Sequence, residues 1–212
     1  MKRGLLMLSL LAACQPDAPV RSCTGCSYAF ADTVPPDTIV VFHWPASRLP
    51  VRFYADPRGA MPALVANAIG AWEGQFLYGE FKGVIVTDSS NADVIVRWNG
   101  IVPADVPPDN GPAVTACDGL TTDSLNASRR ALLAKFHTSL RILAGYSDAQ
   151  VAACMRRVAI HELGHVLGLL RESPTSTDIM YHDPAVSQPS AADRATVEIL
   201  YHTPSTVQPP PP

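Results

Sequence analysis

His161-Glu162-Leu163-Gly164-His165-Val166-Leu167-Gly168-Leu169, followed after a turn-rich segment by Asp178-Ile179-Met180-Tyr181, is the stretch on which the reading of this chain turns. His161 and His165 are four residues apart, so on a helix both imidazoles leave one face about a turn from each other. Two neutral imidazole nitrogens at that spacing bind a single Zn²⁺. Glu162, beside the first of them, is placed to take a proton from a metal-activated water. Apolar Val158, Ile160, Leu163, Val166, Leu167 and Leu169 surround the polar trio, which implies a buried or half-buried helix. Imidazoles and a carboxylate in such a setting need a partner, and a metal is the simplest one.

Outward from the motif, proline is absent from 151 to 169, Ser147 or Asp148 offers a cap, and Gly168 and Pro174 suit the helix end. Residues 174–183 read as turns and 191–201 as a final helix, with Asp193, Arg194 and Glu198 exposed and Val197, Leu200 and Tyr201 inward. Upstream, 39–42 and 49–54 are β-branched and aromatic runs that predict strands. Residues 61–76 predict a helix packed on a sheet through Leu64, Ile69, Trp72 and Phe76. Residues 84–86 and 92–98 read as further strands, then 101–112 as a Pro- and Asp-rich loop and 113–116 as a short edge strand. Between 130 and 143 a helical stripe is conceivable. The alternation of Leu132, Ala134, Phe136, Thr138, Leu140 and Ile142 with polar residues favours a strand.

A chain of 212 residues suits one domain of this size plus processing and linker segments. Its formal net charge of −3, without a long basic run, leaves no electrostatic footprint for nucleic acid. No apolar run reaches the roughly 18 residues of a spanning helix. Residues 1–13 have the layout of a secretory signal: Lys2 and Arg3, an apolar stretch from Leu5 to Leu11, then Ala12-Ala13 before Cys14. A cysteine at that cut resembles the lipobox of bacterial lipoproteins, which implies lipid attachment at Cys14 and a place in the cell envelope, anchored to a bacterial membrane. Gln15 lacks the acidic character associated with inner-membrane retention and is compatible with the outer membrane. Residues 14–38, with Pro16, Pro19, Pro35 and Pro36, read as a tether, 39–203 as the domain, and 204–212 as a Pro-rich tail.

Cys23, Cys26, Cys117 and Cys154 remain once Cys14 is set aside. An even number in an oxidising compartment favours two disulfides, and three pairings are open. Cys23 with Cys26 is local, while Cys117 with Cys154 would tie a loop to the segment before the histidine motif. Metal binding by Cys23-x-x-Cys26 lacks a second such pair or a nearby histidine pair.

The motif with its following Asp178-Ile179-Met180-Tyr181 resembles the metzincin zinc metalloproteases, and within them the matrixin-like bacterial members. The resemblance extends over most of 48–203. It implies an α+β, zincin-like fold: a twisted mixed sheet, an active-site helix, a Met-turn and a C-terminal helix. It also implies Zn²⁺ as cofactor, His161 and His165 as metal ligands, Glu162 as general base, Gly168 at a sharp bend, Met180 beneath the metal, and a protein or peptide substrate. One position departs from the pattern. The family's third histidine would stand at 171, and this sequence has Arg171, a group that is always charged and has no lone pair. Glu172 and His182 are the two replacements at hand; imidazole is the better donor, and the turn carrying His182 passes below the metal in the family, which tilts the reading toward His182. Two other functions stay in view: a catalytically inactive metzincin-like lipoprotein acting as a binding module, and a cell-surface structural lipoprotein without metal.

Overall fold

A computed structural model of the chain describes residues 26–99, 117–126, 128, 130–142 and 148–210. Cys14, Cys23, the loop at 101–112 and the expected edge strand at 113–116 lie outside them.

The chain is a mixed α/β structure. Its five-stranded sheet has the order β4-β3-β5-β7-β6, where β3 is Val51–Ala55, β4 Gly83–Val86, β5 Val94–Trp98, β6 Cys117–Thr122 and β7 Phe136–Ile142. β4, β3, β5 and β7 run parallel to one another and β6 closes the edge antiparallel to β7. Alternation explains how each strand sits. Val51, Phe53 and Ala55 of β3, Val94, Val96 and Trp98 of β5, and Phe136, Thr138 and Leu140 of β7 are buried. Their neighbours Arg52, Arg97, His137 and Arg141 face outward, and Arg97 lies over the Tyr54 ring. The strand expected at 130–143 therefore exists, but begins only at Phe136.

The inward face is covered by α1 (Met61–Glu73) and α2 (Asp148–Leu167), which also pack on each other. α1 begins with Pro62 in its first turn, where a missing N–H costs nothing, and buries Met61, Leu64, Val65, Ala68, Ile69 and Trp72. Two indoles fasten α2 through its backbone: Trp72 Nε1 donates to the Ile160 carbonyl at 2.8 Å and Trp44 Nε1 to that of Val166 at 3.0 Å. A disulfide joins Cys117 of β6 to Cys154 of α2, with Cα atoms 5.8 Å apart. α3 (Ala191–Tyr201) completes the domain behind a capping box formed by Ser190 and Asp193.

Both ends of the described chain are more structured than their proline content suggests. A two-stranded hairpin, β1 (Asp32–Val34) with β2 (Thr38–Val40), occupies part of the segment expected to be tether. Just before it, Tyr28 donates its hydroxyl to Asp193 at 2.7 Å, and Leu170 N–H bonds the Phe30 carbonyl at 3.0 Å. Residues 39–42, expected as a strand of the domain, thus join the hairpin instead of the main sheet through Thr38–Val40. The Pro-rich tail also packs: Val207 is buried, Thr206 N–H bonds the Val41 carbonyl, and Arg48 donates to the Pro210 carbonyl. No helix among the described residues is long and apolar enough to cross a membrane.

Candidate metal centre

α2 delivers His161, Glu162 and His165 to the floor of a cleft of about 550 Å³, walled on one side by residues 117–121 of β6 and on the other by Glu172 and His182–Pro184. His161 and Glu162 are buried at 7 % and 5 % exposure. Each histidine spends its Nδ1 on a backbone carbonyl: His161 on Ile179 at 2.8 Å, His165 on Leu169 at 2.6 Å. A carbonyl only accepts, so both Nδ1 atoms carry the proton and both Nε2 atoms are left with lone pairs. Those two Nε2 atoms face each other at 3.1 Å.

Glu172 meets the same point. Its Oε1 is 3.5 Å from His161 Nε2 and 3.6 Å from His165 Nε2. Three electron-rich atoms converging this closely repel one another unless a positive charge lies among them. A tetrahedral zinc with bonds of about 2.0–2.1 Å holds its ligand atoms roughly 3.3–3.5 Å apart, and the three separations here fall within about 0.3 Å of that range. His161, His165 and Glu172 form a group fit to hold a metal ion among the described residues. In the metal-free protein a proton at Nε2 takes the place of that positive charge: burial opposes the charged Glu172 carboxylate, but contact with both imidazoles outweighs it and pulls its pKa down to about 2. For His161, burial disfavours the cation, and the Glu172 and Glu162 carboxylates overcome this and raise its pKa.

Of the two donors named from the sequence, Glu172 is the one grouped with the histidines, while His182, toward which donor type tilts the reading, lines the same cleft outside that group. The reason lies in how residues 168–173 are held. Gly168 has φ +109°, a conformation side chains other than glycine rarely adopt, and its Cα lies so near the Phe42 carbonyl that a Cβ would stand 1.8 Å from the oxygen. The chain bends there. Leu170 N–H is then fixed by Phe30, and Ser173 N–H by the Met180 carbonyl at 2.7 Å. Arg171 is left exposed, 4.0 Å from Asp32, while Glu172 turns toward the histidines. His182 stands exposed on the cleft rim with its ring against Tyr181, 4.1 Å between centroids.

The turn at 178–181 supports the floor from below. Met180 is fully buried, and its Sδ is packed so tightly under Gly164 that a Cβ there would come within 2.2 Å of it. Asp193, wholly buried at the start of α3, accepts from the N–H groups of Ile179 at 2.7 Å and Met180 at 3.3 Å. A continuous path therefore runs from the α3 cap through the Ile179 peptide to His161 Nδ1. Asp193, expected from the sequence on the exposed face, is buried instead because its carboxylate closes the Ser190-x-x-Asp193 capping box and accepts from the turn at 179–180.

Glu162 sits between the helix and β6. Its Oε2 accepts from the Thr121 hydroxyl at 2.6 Å. Gly119 lies flat against it, so close that a Cβ would be 2.5 Å from Oε1. Nothing in the sequence singled out Gly119 or Thr121. Cys26 is disulfide-bonded, and the partner lies outside the described residues. No protein-family model matches this chain, and no curated protein sequence matches it.

Proposed function

We propose that this protein is a zinc-dependent endopeptidase of the metzincin type, exported and held to a bacterial membrane by a lipid on Cys14. The observation that carries the reading is the convergence of His161 Nε2, His165 Nε2 and Glu172 Oε1 at 3.1–3.6 Å beside the buried Glu162. Zinc, when bound there, would act as a Lewis acid that brings the pKa of a water toward neutrality. The chain's own part begins with the two Nδ1–H bonds, which orient the imidazoles and fix their tautomers. Glu162, with Oε2 occupied by Thr121, has Oε1 to accept the proton of the attacking water and pass it to the leaving amine.

A peptide substrate suits the cleft because one wall is a strand at the edge of the sheet. β6 can align an extended chain through its main-chain groups, as in strand addition, and set the scissile carbonyl over the floor. The metzincin assignment draws support from the parallel sheet with one antiparallel edge strand, the glycine bend and the methionine turn below the histidines. Against the alternative of an inactive binding module, which rests on Arg171, stands the Glu172 carboxylate at the next position, 3.5 and 3.6 Å from the two histidine Nε2 atoms.

The deciding experiment compares wild type with Glu162→Gln on a set of quenched-fluorescent peptides. The variant should fold and bind zinc as wild type does, with cleavage lower by several powers of ten. Undiminished cleavage would overturn the mechanism, and no cleavage by zinc-loaded wild type would overturn the function.

A further inference from the structure

Thr121 lies on β6, opposite Thr138 of β7 in the strand register, and both side chains face α2. Their hydroxyls are 2.9 Å apart. Thr121 Oγ1 is 2.6 Å from Glu162 Oε2 and 3.2 Å from the Glu162 carbonyl oxygen. A hydroxyl has one proton, and an ionised carboxylate has none to give. The Thr121 proton therefore goes to the shorter contact, Oε2, and Thr138, buried at 4 % exposure, must be the donor to Thr121. The order Thr138→Thr121→Glu162 is fixed by this counting. On its other side the carboxylate rests against Gly119, where any side chain would overlap Oε1 and Cγ. Two contacts from one strand thus confine a buried glutamate to one orientation.

We infer that Thr121 is a positioning residue for Glu162, and that Thr138 orients Thr121 in turn. The inference rests on the proposed function, in which Glu162 is the base. Thr121 touches neither metal nor water in this role. It occupies one carboxylate oxygen so that the other is the one presented to the cleft. A base held in one place acts on the rate of the chemical step, not on substrate affinity.

The test uses full-length protein and three variants. Thr121→Val keeps the shape and removes the hydroxyl; it should lower kcat about ten- to hundredfold, the usual cost of losing a supporting hydrogen bond, with KM and zinc affinity within about twofold. Thr121→Ser should restore kcat to near wild type, and Thr138→Val should show a smaller fall of the same kind. A separate reading needs no activity: a double-mutant cycle of Thr121→Val and Glu162→Ala on the unfolding free energy of metal-free protein should be non-additive. Wild-type kcat in Thr121→Val, or a failure of serine to rescue, would overturn the inference. So would additivity in the cycle. Zinc-loaded wild type that cleaves nothing, together with a coupled cycle, would remove the proposed function and with it the positioning role, leaving a bond that serves the fold alone.

Discussion

Gly168→Ala joins the fold to the site, and its cost can be worked from geometry. At φ +109° an alanine carries backbone strain of about 1–3 kcal/mol. Its Cβ would also lie 1.8 Å from the Phe42 carbonyl oxygen, about 1.6 Å inside ordinary contact. Phe42 cannot retreat freely: it is buried and packed on Trp44 and Phe136, with ring centroids 5.2 and 5.3 Å away. Forcing such a core apart costs roughly 1–3 kcal/mol more. The total of about 2–6 kcal/mol corresponds to a midpoint lower by at least about 4 °C, and by about 20 °C at the upper end, for a chain of this size. The bend also places the Leu169 carbonyl on His165 Nδ1, so zinc affinity should fall with stability. Calorimetry of the metal-free protein and a zinc competition titration measure the two effects. A midpoint within about 2 °C of wild type and unchanged affinity would refute the assignment of Gly168 as the device that makes the bend.

Glu172→Ala should weaken zinc at least about tenfold, whereas His182→Ala and Arg171→His should change it little, because the first side chain faces the histidines and the other two do not. A titration in which Arg171→His tightens zinc strongly would contradict the direction of the turn. Replacing both Cys117 and Cys154 by serine opens a loop of 37 residues and should cost about 4 kcal/mol by chain entropy, read from urea denaturation under oxidising conditions; an unchanged midpoint would show that the link carries no stability. Cys14→Ser should move the protein from membrane fractions to the soluble phase, and persistence in the membrane would count against the lipid anchor.

Much of the site was legible because it depends on local periodicity. His161, Glu162 and His165 are placed by one helix whose apolar neighbours mark its buried face, and the alternation around Phe136 to Ile142 marks β7. Cys117 and Cys154 are joined, one of the pairings that the even cysteine count left open. What escaped depends on contacts between distant segments. Tyr28 and Phe30 are isolated aromatics in a short run of small residues, too brief to show that they dock on α3 and on the bend. Val207 sits among prolines and shows no period either, yet it is buried beside residues far back in the chain. That Glu172 faces the histidines depends on the direction of a bend, which is held by Phe42 and Phe30 from far back in the chain and by Met180 from seven residues ahead of Ser173. Thr121 and Gly119 gained meaning only once β6 lay beside Glu162.

The central claim is tested most directly by anomalous diffraction at the zinc edge from crystals of the zinc-loaded protein. One ion should lie within bonding distance of His161 Nε2, His165 Nε2 and a Glu172 carboxylate oxygen, with Arg171 and His182 outside its coordination shell. A zinc-free centre at saturating metal, or an ion held without Glu172, would contradict it.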